Sequence, residues 1–130
     1  MSNKIFEALI ELNNDFGSGN DLQHNTKTNA VYRGKKYHDY KDELTEALDE
    51  LQDKFQVDVQ PGDELAVSLV FYQTNVNQLK RSTKDLDNMI KPTLDAMQMA
   101  LGFDDCQITK LTGQKMTHFT RSLRIEIWKA

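Results

Sequence analysis

At 130 residues, with 38% hydrophobic and 28% charged positions, the chain has the size of one domain with a modest core. No apolar run reaches the roughly 18–20 residues that cross a bilayer, so a membrane partner is not expected. The formal net charge of -4 argues against a nucleic-acid partner only until its distribution is read: residues 42–64 hold nine acids against Lys54, whereas 24–41 and 106–130 are basic.

The first apolar stretch, "IFEALIEL", alternates Phe6, Ala8, Ile10 and Leu12, the pattern of a half-buried strand. It is short for a secretory signal and no small-residue cleavage site follows. Cys106 is the single cysteine, so no intrachain disulfide is possible, and a reducing, cytoplasmic setting is expected. Residues 13–36 read as a long polar loop with "GSGN" at 17–20 and a short hairpin around "AVYRGKKY". Lys27, Arg33, Lys35 and Lys36 in this region are candidates for phosphate contact.

Residues 38–55 place Tyr40, Leu44, Ala47, Leu48, Leu51 and Phe55 at three- and four-residue steps, which predicts an amphipathic helix. "QPGDE" at 60–64 is a turn, and "LAVSLVFYQT" at 65–74 alternates as a strand. A polar connection follows, in which Lys80, Arg81 and Lys84 stand just before a group of acids. There they can offset the charge of the acids and are candidates for phosphate contact.

A second helix is expected over 88–101, with Gly102 as its stop. Pro92 requires that helix to start nearby or to be distorted. Residues 106–112 and 119–128 read as two strands joined through "GQKMTH" as a hairpin. The element order predicts a single mixed α/β (α+β) domain over 1–130, a mixed sheet packed against two main helices.

The second helix has acids at both ends. Asp85 and Asp87 are two residues apart, so in extended chain their side chains point the same way. Lys91 follows Asp87 at the four-residue step that stacks side chains on one helical face. Asp104 and Asp105 come just after the helix stops. They reach Asp85 and Asp87 only from a second copy of the chain, or if the following strand turns back. Carboxylates without histidine or cysteine nearby suit a hard cation such as Mg²⁺, which takes few protein ligands and keeps its waters. The competing account makes Asp85 or Asp87 a helix cap and Asp104 and Asp105 turn residues. Asp95, on the Lys91 face, reads as a pairing partner rather than a ligand.

"KDLDNMIKPTLDAMQ", then "DD" and "QI" at 104–108, resembles the signature of the RusA family of Holliday junction resolvases. These are small Mg²⁺-dependent endonucleases common in phages and prophages. The resemblance covers residues 84–108. It implies a mixed α/β fold, a homodimer, and resolution of four-way DNA junctions by paired symmetric nicks in recombination and repair. Carried over position by position, Asp85, Asp87 and Asp105 match the family's metal-binding carboxylates, for Mg²⁺ with Mn²⁺ as a substitute, and Lys91 matches its essential lysine. Asn88 belongs to the motif, and Asp104 matches a frequent neighbour of the third acid. The family pattern also implies that the third acid lies on a strand returning beside the first two. The chain departs from it in two places. "NNDFGSGNDLQHNTKTN" stands where many relatives have a basic, proline-containing motif, and "KRSTK" replaces arginines before the first acid. A second reading is a branched-DNA-binding protein without nuclease activity, recognised by junction binding that needs no divalent ion.

Overall fold

Alternating apolar residues organise the sheet. A computed structural model describes residues 3–19, 22–25, 27–28, 30–74 and 85–130, with backbone alone at 22–25 and 32–33. Its central strand β4 (Leu65–Thr74) buries Leu65, Val67, Leu69 and Phe71 completely or nearly so, and leaves the intervening residues half-buried. β6 (Ser122–Lys129) runs antiparallel to it, with Leu123, Ile125 and Ile127 opposite Phe71, Leu69 and Val67. β1 (Asn3–Glu11) adds Phe6 and Ile10 to the same face. Helices α1 (Lys35–Phe55) and α2 (Leu86–Leu101) supply the other half of this core, chiefly Tyr40, Leu44, Leu48, Met89, Ala96 and Met97. On the polar face, Lys4 and Arg124 pair with Glu7 and Glu126. These pairs are largely solvated and contribute little to stability.

The sheet order is β1-β6-β4-β5, with β5 (Ile108–His118) parallel to β4 at the edge. This corrects the expected hairpin between 106–112 and 119–128. "GQKMTH" is strand rather than turn, and β4 lies between β5 and β6. The reason is the crossover. α2 carries the chain back to the start of β4, so the next strand must run parallel to it. Residues 119–121 then pass over the end of β4. Gly113, read as a turn glycine, instead lets α2 approach the sheet: a Cβ there would lie 2.9 Å from Ile90 Cδ1.

A hairpin does precede α1, formed by β2 (Leu22–Asn25) and β3 (Ala30–Arg33), but "GKKY" belongs to the helix entry. α2 ends where Gly102 takes the left-handed conformation (φ 75°) and donates its N–H to the Gln98 carbonyl at 3.1 Å. The mixed sheet with two helices on one face is the α+β architecture the pattern predicts.

One buried polar pair joins the helices. Thr93 Oγ1 donates to the Met89 carbonyl at 2.8 Å, so the Tyr40 hydroxyl, 2.6 Å away, donates to Thr93. Burial pushes the Tyr40 phenol well above its ordinary value. Removing one partner of a buried pair costs most when it orphans a donor. Thr93→Val therefore loses about 1–3 kcal/mol in urea unfolding, and Tyr40→Phe loses about 0.5–1.5 kcal/mol. Equal losses, or the reverse order, would contradict this assignment of donor and acceptor.

Candidate active site

The entry to α2 carries three of the four expected site residues. Asp85 is the N-cap residue with extended backbone, yet its side chain makes no capping hydrogen bond. Asp87 is exposed in the first turn, and Lys91 is exposed one turn later. The positive end of the helix dipole favours both acids there. Among the described residues no ion pair engages Asp85, Asp87 or Lys91. The capping account of Asp85 therefore lacks its hydrogen bond, and the carboxylates remain available to a ligand.

Pro92 explains how this helix end is framed. A proline inside a helix has no N–H for the carbonyl four residues back, here Asn88. That carbonyl is taken instead by the Gly19 N–H at 2.7 Å. Gly19 also lies against the side chain of Lys91, where an added Cβ would sit 3.4 Å from Lys91 Cβ. The segment leading to Gly19 is pinned to α1. Glu43 accepts from the Asn13 and Asn14 amides at 2.7 and 2.8 Å. Phe16 is buried edge-on against Tyr40 and Phe71, with centroids 5.7 and 5.3 Å away. Reading 13–19 as featureless polar loop missed this clasp. Its signals were the lone aromatic in "NNDFGSGN" and the proline spaced four residues after Asn88.

The remaining acids are at the other end. Asp104 caps a short 3₁₀ turn (Asp105–Gln107), its carboxylate accepting from the Cys106 N–H at 3.1 Å and its own N–H donating to Gln107 Oε1 at 3.0 Å. Gln107 in turn donates to the Gln60 and Asp63 carbonyls at 2.9 and 3.2 Å. The Cys106 backbone N–H, and then its thiol, hold the Asp104 carboxyl below its ordinary value. The Asp104 carboxylate raises the Cys106 thiol. So Asp104 has a local structural role in this turn, where the competing account has it as a turn residue. Asp105 is exposed, and its amide is held by Gln98 Oε1 at 3.2 Å.

Sixteen residues of helix at 1.5 Å each separate Asp85 from Gly102, about 24 Å. β5 does return along α2, but Asp105 precedes that strand and stays at the far end. The expectation that a returning strand would carry the third acid back is corrected here. Among the described residues, no three His, Cys, Asp or Glu side chains of one chain group as metal ligands. The all-oxygen donor set fits a hard cation, but one subunit offers only two of its acids at either end.

Among the basic candidates, Lys27 is exposed beside the hairpin, and Arg33 ends β3. Lys35 and Lys36 occupy the first turn of α1, where no acid offsets the helix dipole, and Lys35 pairs with Asp39 at 2.6 Å. Lys80, Arg81 and Lys84 lie outside the described residues. Asp95 accepts from the Tyr37 hydroxyl, a pairing partner as expected, although of tyrosine.

A family model described as Endodeoxyribonuclease RusA matches residues 16–128. The chain belongs to the RusA family. The match runs from the buried Phe16 of the clasp to Trp128 of β6, far beyond the acid motif. RusA-family proteins are endodeoxyribonucleases that act on Holliday junctions. A search of the curated proteins found no match. Among the described residues of this RusA-family chain, no helix is long and apolar enough to cross a membrane.

The clasp yields a direct test. Pro92→Ala gives residue 92 an N–H that competes for the Asn88 carbonyl, so amide exchange at Gly19 accelerates while exchange in β4 is unchanged. Undiminished protection of Gly19 would show that the proline is not what frees that carbonyl.

Proposed function

We propose that this RusA-family chain is a Mg²⁺-dependent endonuclease that resolves four-way DNA junctions by paired nicks, working as a homodimer whose two active sites are each shared between subunits. The observation that carries the reading is the separation of the acids: Asp85 and Asp87 open α2, while Asp105 lies a helix length away at its end. A rigid helix cannot bring its own ends together, whereas a two-fold axis can bring one end to the other. In each site Asp85 and Asp87 meet the partner subunit's Asp105.

When bound, Mg²⁺ polarises the scissile phosphate and supplies an activated water. Lys91, beside the Gly19 loop, stabilises charge developing on the phosphate oxygens. Lys27, Arg33, Lys35, Lys36, Lys80, Arg81 and Lys84 contact the DNA backbone. Two sites related by a two-fold axis address two opposed strands of a junction with matching symmetry, which supports paired nicks in recombination and repair. A junction-binding protein without nuclease activity is disfavoured by the same carboxylates. Exposed on a DNA-facing surface and lacking a cation, they repel phosphate.

Shared sites make a prediction that separate sites do not. Asp87→Asn and Asp105→Asn each lose at least about 100-fold of junction cleavage, since even outer-shell partners of a metal contribute up to that much. Subunit exchange between the two variants restores nicking, because each mixed dimer regains one intact site. Symmetric cleavage by the wild type with no rescue in the mixture would refute the sharing. A synthetic four-way junction left uncut by the wild type in both Mg²⁺ and Mn²⁺ would refute the nuclease.

A further inference from the structure

We propose that Phe119 is a stacking platform for a nucleobase at the branch of the DNA, and that this ring lets the protein tell a junction from an uninterrupted duplex. The proposal rests on the junction-nuclease reading above and adds a source of its selectivity. The first observation is exposure. Phe119 is 95% exposed. Phe55, by comparison, is 40% exposed and packs its ring on Phe6. A phenylalanine this bare adds little to the core, and its faces are open to a flat apolar ligand.

The topology puts the ring at the end of the molecule where α2 opens. Gly113 lies under α2, where an added Cβ would be 2.9 Å from Ile90 Cδ1 and 3.6 Å from Leu86 Cδ2. Leu86 is the first residue of that helix and stands between Asp85 and Asp87. Because β5 is parallel to β4 and α2 returns between them, β5 ends on the side where the helix begins. His118 closes β5 five residues past Gly113, about 17 Å further at about 3.3 Å per residue. Phe119 follows directly, so it stands at the end that carries Asp85 and Asp87.

The turn that presents the ring is held on both sides. Tyr72 of β4 and His118 meet edge to face with centroids 5.3 Å apart, and His118 meets Phe119 at 5.8 Å. The Thr120 N–H donates to His118 Nδ1 at 3.4 Å. Arg121 Nη1 donates to the Asn13 carbonyl at 2.9 Å, and the Arg121 carbonyl accepts from the Leu12 N–H at 2.9 Å. A turn ordered in advance loses little freedom when a base settles on it. The surroundings favour a polyanion over an apolar protein surface. β5, which leads to the ring, carries Lys110 and Lys115 and no acid, and the Arg121 guanidinium offsets Asp15 at 3.8 Å.

Every base has a π-face, so stacking on an aromatic ring is tolerant of sequence. Inside a continuous duplex those faces are covered by neighbouring pairs, and a base must first be unstacked. At a branch the arms end, and the terminal pairs offer a face without that cost. The same ring therefore adds affinity for a junction and none for a plain duplex.

Binding in EDTA, in an Asp87→Asn background, tests this apart from cleavage. That parent, its Phe119→Ala form and its Phe119→Trp form are titrated with a four-way junction and with a linear duplex of the same sequence. The junction carries 2-aminopurine at the pairs flanking the crossover. Phe119→Ala weakens junction binding at least about fivefold, the scale of one lost base stack, and leaves duplex binding within about twofold. The parent changes the 2-aminopurine emission and Phe119→Ala does not, whereas Phe119→Trp, which keeps a ring, retains both signals. Equal junction affinity in the parent and Phe119→Ala would overturn the platform, as would an equal loss on junction and duplex or a parent with no preference for the junction. Urea unfolding of Phe119→Ala keeps the parent's midpoint, and a lowered midpoint would assign the ring to folding instead. If restoring Asp87 gives junction cleavage while Phe119→Ala leaves junction affinity unchanged, the platform is removed and the nuclease stands. A junction preference that depends on Phe119, in a wild type that cuts no junction, removes the nuclease and keeps the platform.

Discussion

A rigid helix between two groups of acids constrains everything else in this protein. α2 crosses from the end of β4 to the start of β5, and a crossover of this kind fixes both the direction of β5 and the distance between the helix ends. About 24 Å of hydrogen-bonded backbone does not bend to bring its two ends together. The proposed shared site therefore draws its acids from two chains, and the remaining features of α2 are consistent with that proposal. One face is buried in the core, one end is framed by a loop, and one apolar flank is left partly covered.

Pro92 sets the chemistry of the first turns. By removing one helical hydrogen bond it creates an acceptor for Gly19, and the docked loop then lies along Lys91. The anchors of that loop, Glu43 and Phe16, belong to the helix pair and the core. Site geometry is thus continuous with the packing of Tyr40 and Thr93.

Much of the fold could be read from the sequence because burial imposes simple periods. The strand at 65–74, the α1 stripe and the stop at Gly102 all follow from local pattern. The link from β5 to β6 could not be read that way. Gly113 satisfies both a turn and a close helix approach, and β5 is an exposed edge whose residues carry no alternation. At the site, spacing identified Asp85, Asp87, Lys91 and Asp105 as chemically interesting and left two routes for their convergence. The choice between these routes depends on where a strand lies relative to a helix, which is tertiary information. The Asn88–Gly19 bond escaped notice because its partners are 69 positions apart, and nothing in a local window links a glycine in a polar loop to a proline in a distant helix.

Metal stoichiometry in a mixed dimer tests the shared site most directly. Mn²⁺ titrated calorimetrically into wild type binds with one site per chain, and Asp87→Asn or Asp105→Asn alone abolishes that binding. Exchange of the two variants restores one ion per mixed dimer. Retention of full Mn²⁺ binding by Asp105→Asn, or its absence in the mixture, would contradict a metal held by Asp85 and Asp87 of one subunit and the partner subunit's Asp105.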